Sequence, residues 1–107
     1  LVLVSHSLGS RMSNAYFDGT PSPGFRAWVA LGLGAPYSAR FAQAPRIPVL
    51  DVYGERDLEP VLKNSPARER VARSSGGRQQ RIAGADHFFA GRETELVSLI
   101  ADHARRK

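Results

Sequence analysis

The first ten residues constrain the fold more than any other stretch of the chain. Leu1 to Val4 are four consecutive apolar residues, and a short apolar run of this kind is typical of a buried parallel strand. They run into a small-x-Ser-x-Gly pattern, in which Ser5 and Gly9 are the small residues on either side of Ser7. Small residues at these positions let a strand turn sharply into a helix while the central hydroxyl stays exposed. The stretch therefore predicts a strand, a strained turn at Ser7 and a helix.

Further apolar segments alternate with helical patterns along the rest of the chain. Glycines and prolines interrupt regular structure over residues 19–24, and residues 55–60 are predicted to form a loop. Strands alternating with helices imply an α/β fold, with a parallel sheet of about four strands and flanking helices. The predicted later strands cover residues 25–33, 47–53 and 79–83, the last at the sheet edge. The predicted helices cover residues 8–17, 37–44, 66–74 (with Ser65 as cap) and 92–106.

Two of these helices have an apolar face that we expect to pack against the sheet. On the first helix the face consists of Leu8, Met12, Ala15 and Tyr16, with small residues beside them for close packing. On the last helix a stripe of aliphatic residues has the same role, and the basic residues at its end complement the helix dipole.

Composition excludes several classes of function. The 107 residues are enough for one small domain, and 42% hydrophobic with 23% charged residues is ordinary for a soluble globular chain. No apolar run approaches the length of a membrane span, and the absence of cysteine excludes disulfides, thiol catalysis and cysteine-ligated metal. The net charge of +5 comes from scattered arginines without interleaved aromatic residues, so nucleic-acid binding is not expected.

A serine hydroxyl becomes a useful nucleophile when a histidine removes its proton and a carboxylate orients that histidine. Of the three histidines, His87 follows the fourth predicted strand in a loop that can reach Ser7. His6 stands beside Ser7 in the turn, where its side chain is expected to point away from the site. His103 lies on the last helix and is expected to pack at the margin of the core. His87 is therefore the predicted base.

Several carboxylates compete for the orienting role. Asp57 follows Gly54 by three residues, just past the third predicted strand, and is the preferred candidate. Asp51 lies within that strand and would be a buried carboxylate in need of partners. Glu55 stands closer to the strand at a less typical offset, and Asp86 adjoins His87, where it is badly placed to orient its neighbour.

Three segments together resemble the last three catalytic motifs of the α/β-hydrolase superfamily, in that family's order and spacing. In detail the chain is similar to uncharacterised bacterial members, and the resemblance covers residues 1–107 as a partial domain, from the nucleophile-elbow strand to the C-terminal helix. The three segments read Ser-His-Ser-Leu-Gly from Ser5, Gly-Glu-Arg-Asp from Gly54 and Gly-Ala-Asp-His-Phe from Gly84.

The resemblance implies a serine hydrolase that cleaves a small carboxylic ester or thioester through an acyl-enzyme. It implies Ser7 as nucleophile, His87 as general base and Asp57 as orienting acid. It also implies the Leu8 N–H as one oxyanion donor. No metal and no organic cofactor are expected.

Two departures from the family pattern keep an alternative open. Ser5 replaces the usual glycine, and the strands that precede the elbow in the family, with their second oxyanion donor, have no counterpart before Leu1. The chain is therefore expected to be the C-terminal part of a longer one, with a bare edge on its first strand that favours self-association. The alternative is a truncated, non-catalytic remnant or binding module that retains the hydrolase fold. An arginine-rich interaction domain is a third, weaker option.

Overall fold

A computed structural model describes residues 1–19, 24–45 and 47–105. Strands and helices alternate as predicted, and the predicted break over residues 19–24 lies mostly outside the described residues. Within the described ranges, no helix is both long enough and apolar enough to cross a membrane. The elements are β1 (Val2–His6), α1 (Leu8–Gly19), β2 (Ala27–Leu31), α2 (Ala39–Gln43), β3 (Val49–Gly54), α3 (Glu59–Lys63), α4 (Ser65–Ser74), β4 (Arg78–Ile82) and α5 (Glu93–Arg105).

The four strands form one sheet in the order β1-β2-β3-β4, and every neighbouring pair is parallel. This confirms the predicted α/β class, the parallel sheet of about four strands and the edge position of β4. Because the strands are parallel, their carboxyl ends meet at one edge of the sheet, where ligand sites of open α/β sheets form. The residues that follow the strands there are Ser7, Gly32, Asp57 and His87.

The core lies on both faces of the two central strands. All five residues of β2 are buried, and their side chains alternate between the faces of the sheet. Trp28 packs on one face in an aromatic cluster with Phe17, Tyr37 and Phe41. The opposite face is mostly aliphatic, and α5 covers part of it. The buried residues of that second cluster are Val29, Leu31, Leu50, Val52, Ile82, Ala85 and Phe89.

The predicted burial of the first strand is confirmed only in part. β1 lies at a sheet edge and, among the described residues, hydrogen-bonds only to β2. Val4 is 45% exposed, whereas Val2 and Leu3 are half-buried against the core. Self-association through this edge stays a prediction.

The predicted apolar face of α1 is also exposed. Leu8 and Met12 are each about two-thirds exposed, whereas Ser10 and Phe17 are the buried residues of the helix. Ser10 is buried because its hydroxyl donates a hydrogen bond to the Leu31 carbonyl, 3.0 Å away. Ser10 and Phe17, rather than the predicted apolar face, therefore bring α1 close to the sheet.

The segment after β3 contains a helix where a loop was predicted. α3 begins at Glu59 with Pro60 in its first turn, and it buries Val61. The next helix already begins at Ser65, so Asn64, and not Ser65, is the residue before it. Both helices start with proline in the first turn, where its missing N–H removes no helical hydrogen bond.

Asp51 is the buried carboxylate that the sequence indicated, and three donors surround it. Tyr37 Oη donates to Oδ1 at 2.6 Å, Arg68 Nε donates to Oδ1 at 3.0 Å, and Gln79 Nε2 donates to Oδ2 at 2.9 Å. Burial, reinforced by the negative charge of Asp51, raises the pKa of Tyr37 well above its usual value, which keeps the hydroxyl protonated as a donor. The network ties α4 to the middle of β3, below the edge of the sheet that carries Ser7 and His87.

Candidate active site

Ser7 occupies the turn between β1 and α1 in a strained conformation. Its φ of 57° lies in the left-handed region, which residues other than glycine seldom adopt. The turn is held because the Ser7 N–H donates to the Leu31 carbonyl at 2.9 Å. Ser5, which stands where a glycine was expected, accepts a hydrogen bond from Trp28 Nε1 at 2.9 Å. The Ser5 hydroxyl therefore gives the buried indole N–H of Trp28 a hydrogen-bond acceptor, which a glycine could not supply.

His87 connects Ser7 to Asp57 through its two ring nitrogens. Nε2 lies 2.7 Å from Ser7 Oγ, and Nδ1 lies 2.6 Å from Asp57 Oδ1. A carboxylate can only accept a hydrogen bond, so Nδ1 carries a proton and Nε2 is left to accept the proton of the hydroxyl. The imidazole and the carboxylate are both buried. The structure thus brings the three predicted residues into one continuous hydrogen-bonded chain.

Asp57 is oriented by the backbone of its own loop. Its Oδ2 accepts from the Gly54 N–H at 3.0 Å, and its Oδ1 accepts from the Leu58 N–H at 2.8 Å. The other carboxylates considered from sequence have different partners. Asp51 belongs to the network in β3, Glu55 accepts from the Gly84 N–H at 2.8 Å, and Asp86 accepts from the Phe88 and Ala90 N–H groups.

The prediction that His6 points away from the site is wrong. His6 Nε2 lies 2.8 Å from the backbone oxygen of His87, and the centroids of the two rings are 5.1 Å apart. Because a carbonyl only accepts, His6 Nε2 is the donor. This hydrogen bond ties the loop that carries His87 to the residue directly before Ser7. His103 is buried on α5, deeper than the core margin predicted for it.

Two glycines position His87, and the sequence reasoning did not assign them a role. Gly32 has a φ of +62°, and a Cβ there would lie 2.9 Å from His87 Cε1 and 3.0 Å from His87 Nδ1. A Cβ at Gly54 would overlap the backbone carbonyl of Ala85, two residues before His87. Both glycines stand at the carboxyl end of a strand. This position is the sequence feature that could have indicated their role.

A cavity of about 210 Å³ opens beside Ser7 and His87. Leu8 lines it, and the Leu8 N–H has no hydrogen-bond partner among the described residues. That N–H belongs to the first turn of α1, where the positive end of the helix dipole lies. A larger, more open groove of about 710 Å³ runs along α5 but is not lined by Ser7, Asp57 or His87. The smaller cavity is therefore the one that Ser7 and His87 line.

No protein-family model matches the sequence, and no curated protein matches it. In the part of the chain that the structure describes, no group of three or more histidine and acidic side chains is arranged to hold a metal ion. Function must therefore be inferred from the residues that meet at the carboxyl edge of the sheet.

Proposed function

We propose that the chain carries the catalytic centre of a serine hydrolase of the α/β-hydrolase type, acting on a carboxylic ester or thioester. The observation that carries the proposal is the hydrogen-bonded chain from Ser7 Oγ through His87 to Asp57. The order of these residues and the parallel sheet that presents them support a match to the C-terminal half of that fold.

In the acylation step, Ser7 Oγ attacks the carbonyl carbon of the substrate while His87 Nε2 takes the hydroxyl proton. The negative charge of Asp57 stabilises the imidazolium that forms, because it lies 2.6 Å from Nδ1. His87 then gives the proton to the departing alcohol or thiol as the bond between the carbonyl carbon and the leaving group breaks. The product of this step is an ester between the acyl group and Ser7.

The second step returns the enzyme to its starting state. His87 Nε2 takes a proton from a water molecule, which attacks the acyl carbon. The bond between that carbon and Ser7 Oγ then breaks, and His87 gives the proton to Ser7 Oγ as the carboxylic acid leaves. The negative oxygen formed in each step faces the Leu8 N–H, and one such donor typically accounts for about 100- to 1000-fold in rate.

Labelling with a fluorophosphonate tests this function on the 107-residue chain, because the reagent reacts with serines activated by a histidine. We expect one adduct per chain, located on Ser7 by mass spectrometry of the peptides. The Ser7→Ala variant should take up no label. Ser13→Ala removes a hydroxyl from the adjoining helix α1, one that donates to the Gly9 carbonyl, and should label like the natural sequence.

The unfolded chain provides the second control. Activation depends on the folded hydrogen-bonded chain, so denaturant should abolish the labelling of Ser7. An absence of label on the folded chain, or equal label on folded and unfolded chains, would show that Ser7 is not an activated nucleophile and would favour the non-catalytic alternative.

Gly32→Ala is expected to lower kcat/KM for p-nitrophenyl esters about 100-fold, as a catalytic group displaced by about 1 Å does. The added Cβ would meet the imidazole of His87 at 2.9 Å, and that ring is held at both nitrogens. The φ of +62° adds strain of about 1–2 kcal/mol, which thermal unfolding would detect.

Gly76→Ala is the matched control for Gly32→Ala. Its φ of +88° imposes similar strain, but apart from its chain neighbours no described residue has an atom within 4 Å of a Cβ at that position. Its loss of stability should resemble that of Gly32→Ala, with turnover unchanged. Equal turnover in the two variants would show that Gly32 does not position His87.

A further inference from the structure

The cavity beside Ser7 contains one fixed charge. Arg11 lines it, and the other lining side chains are apolar or belong to the hydrogen-bonded chain. No carboxylate is among the lining residues within the described part of the chain. The apolar wall is formed by Leu8, Leu58 and Val61. Because no carboxylate competes for it there, the charge of Arg11 can attract an anion into the cavity.

The position of Arg11 on α1 directs its side chain toward the nucleophile. Arg11 follows Ser7 by one helical turn, and its N–H donates to the Ser7 carbonyl at 3.2 Å. Side chains on a helix lean toward its N-terminus, so the guanidinium of Arg11 extends to the side of α1 on which Ser7 lies.

The guanidinium of Arg11 is also available to a ligand. It has no hydrogen bond or ion pair with another described residue, whereas Arg68 binds Asp51 at 3.0 Å and Arg78 lies 4.0 Å from Asp102. Its planar fork of N–H donors matches the geometry of a carboxylate.

We propose that Arg11 binds a carboxylate on the acyl group of the substrate, which makes short monoesters or monothioesters of dicarboxylic acids the substrate class. The inference rests on the proposed hydrolase function. The acyl group becomes bonded to Ser7 in the first step and stays bonded until the second, so we place it in the cavity that Ser7 lines. The cavity of about 210 Å³ has room for a short acyl chain.

A matched pair of esters tests the inference: p-nitrophenyl hemisuccinate, whose acyl group ends in a carboxylate, and p-nitrophenyl butyrate, whose acyl group is uncharged. The readout is the ratio of kcat/KM for the hemisuccinate to kcat/KM for the butyrate. We expect Arg11→Gln to lower this ratio at least about tenfold, the effect of losing one charge-assisted hydrogen bond. Arg11→Lys should lower this ratio less, because the positive charge remains and only the planar set of N–H donors is lost.

Arg73→Gln removes an exposed arginine from the last turn of α4 and should leave the ratio unchanged. Two results would overturn the inference. An equal loss for both esters in Arg11→Gln would mean that Arg11 acts on the developing oxyanion of every substrate. An unchanged ratio would mean that Arg11 is only a solvated surface cation.

A binding experiment separates this inference from the hydrolase function itself. The Ser7→Ala variant is titrated with monomethyl succinate, and with methyl butyrate as the uncharged control, while the Nε–H signal of Arg11 is followed by NMR. A shift that saturates with monomethyl succinate alone supports the carboxylate site even if no ester is hydrolysed. Equal responses to the two ligands contradict it.

Discussion

Turnover of p-nitrophenyl esters is expected to fall about 10⁴-fold when Asp57 is replaced by asparagine. Asp57 accepts three hydrogen bonds, from His87 Nδ1 and from the Gly54 and Leu58 N–H groups. An asparagine has one accepting oxygen, so its NH₂ must face a donor in either orientation. If it faces His87, the imidazole is forced into the tautomer that cannot accept a proton from Ser7. In both orientations the charge that stabilises the imidazolium is lost.

Glu59→Gln is the control for this prediction, since Glu59 is an exposed carboxylate on the neighbouring helix α3. Its turnover of p-nitrophenyl esters should equal that of the natural sequence. Labelling of Ser7 by the fluorophosphonate should be slower in Asp57→Asn. The melting temperature of this variant should change little. Turnover of Asp57→Asn within a few-fold of the natural chain would remove Asp57 from the orienting role.

Asp51→Asn is expected to lower the free energy of unfolding by about 3–5 kcal/mol, the usual effect of breaking a buried ion pair. All three neighbours of Asp51 are donors, so an asparagine NH₂ would face at least one of them. Arg68 would then be a buried cation without a counter-charge. Its two terminal nitrogens have no hydrogen-bond partner among the described residues, and its guanidinium carbon lies 5.7 Å from the centroid of the Tyr53 ring.

Denaturant unfolding measures this effect, and Asp102→Asn supplies the comparison. Asp102 is 57% exposed and lies 4.0 Å from Arg78, so its removal should cost at most about 1 kcal/mol. The double replacement Asp51→Asn with Arg68→Met should be less destabilising than Asp51→Asn alone, because no unpaired buried charge remains. Similar losses of unfolding free energy in Asp51→Asn and Asp102→Asn would show that the buried network around Asp51 does not stabilise the fold more than a surface ion pair does.

The sequence by itself determined the alternation of strands and helices, and hence the α/β class. Apolar runs and helical periodicity are local signals, and each can be recognised within a dozen residues. A parallel sheet then places the residues that follow each strand along one edge. Ser7, Asp57 and His87 could be selected in this way because their residue types are those that serine chemistry needs, and because each follows a different strand.

The tertiary structure alone decided how far β1 and the predicted face of α1 are buried, and which side chains reach His87. Burial of β1 depends on how many strands flank it, and the four residues Leu1 to Val4 contain no information on that. His6 and Gly32 acquire their roles from a loop more than fifty residues away, through a hydrogen bond to a backbone carbonyl and through space that a Cβ would fill. Such contacts join residues that are distant in sequence, so no local pattern encodes them, and only the packed sheet brings the groups together.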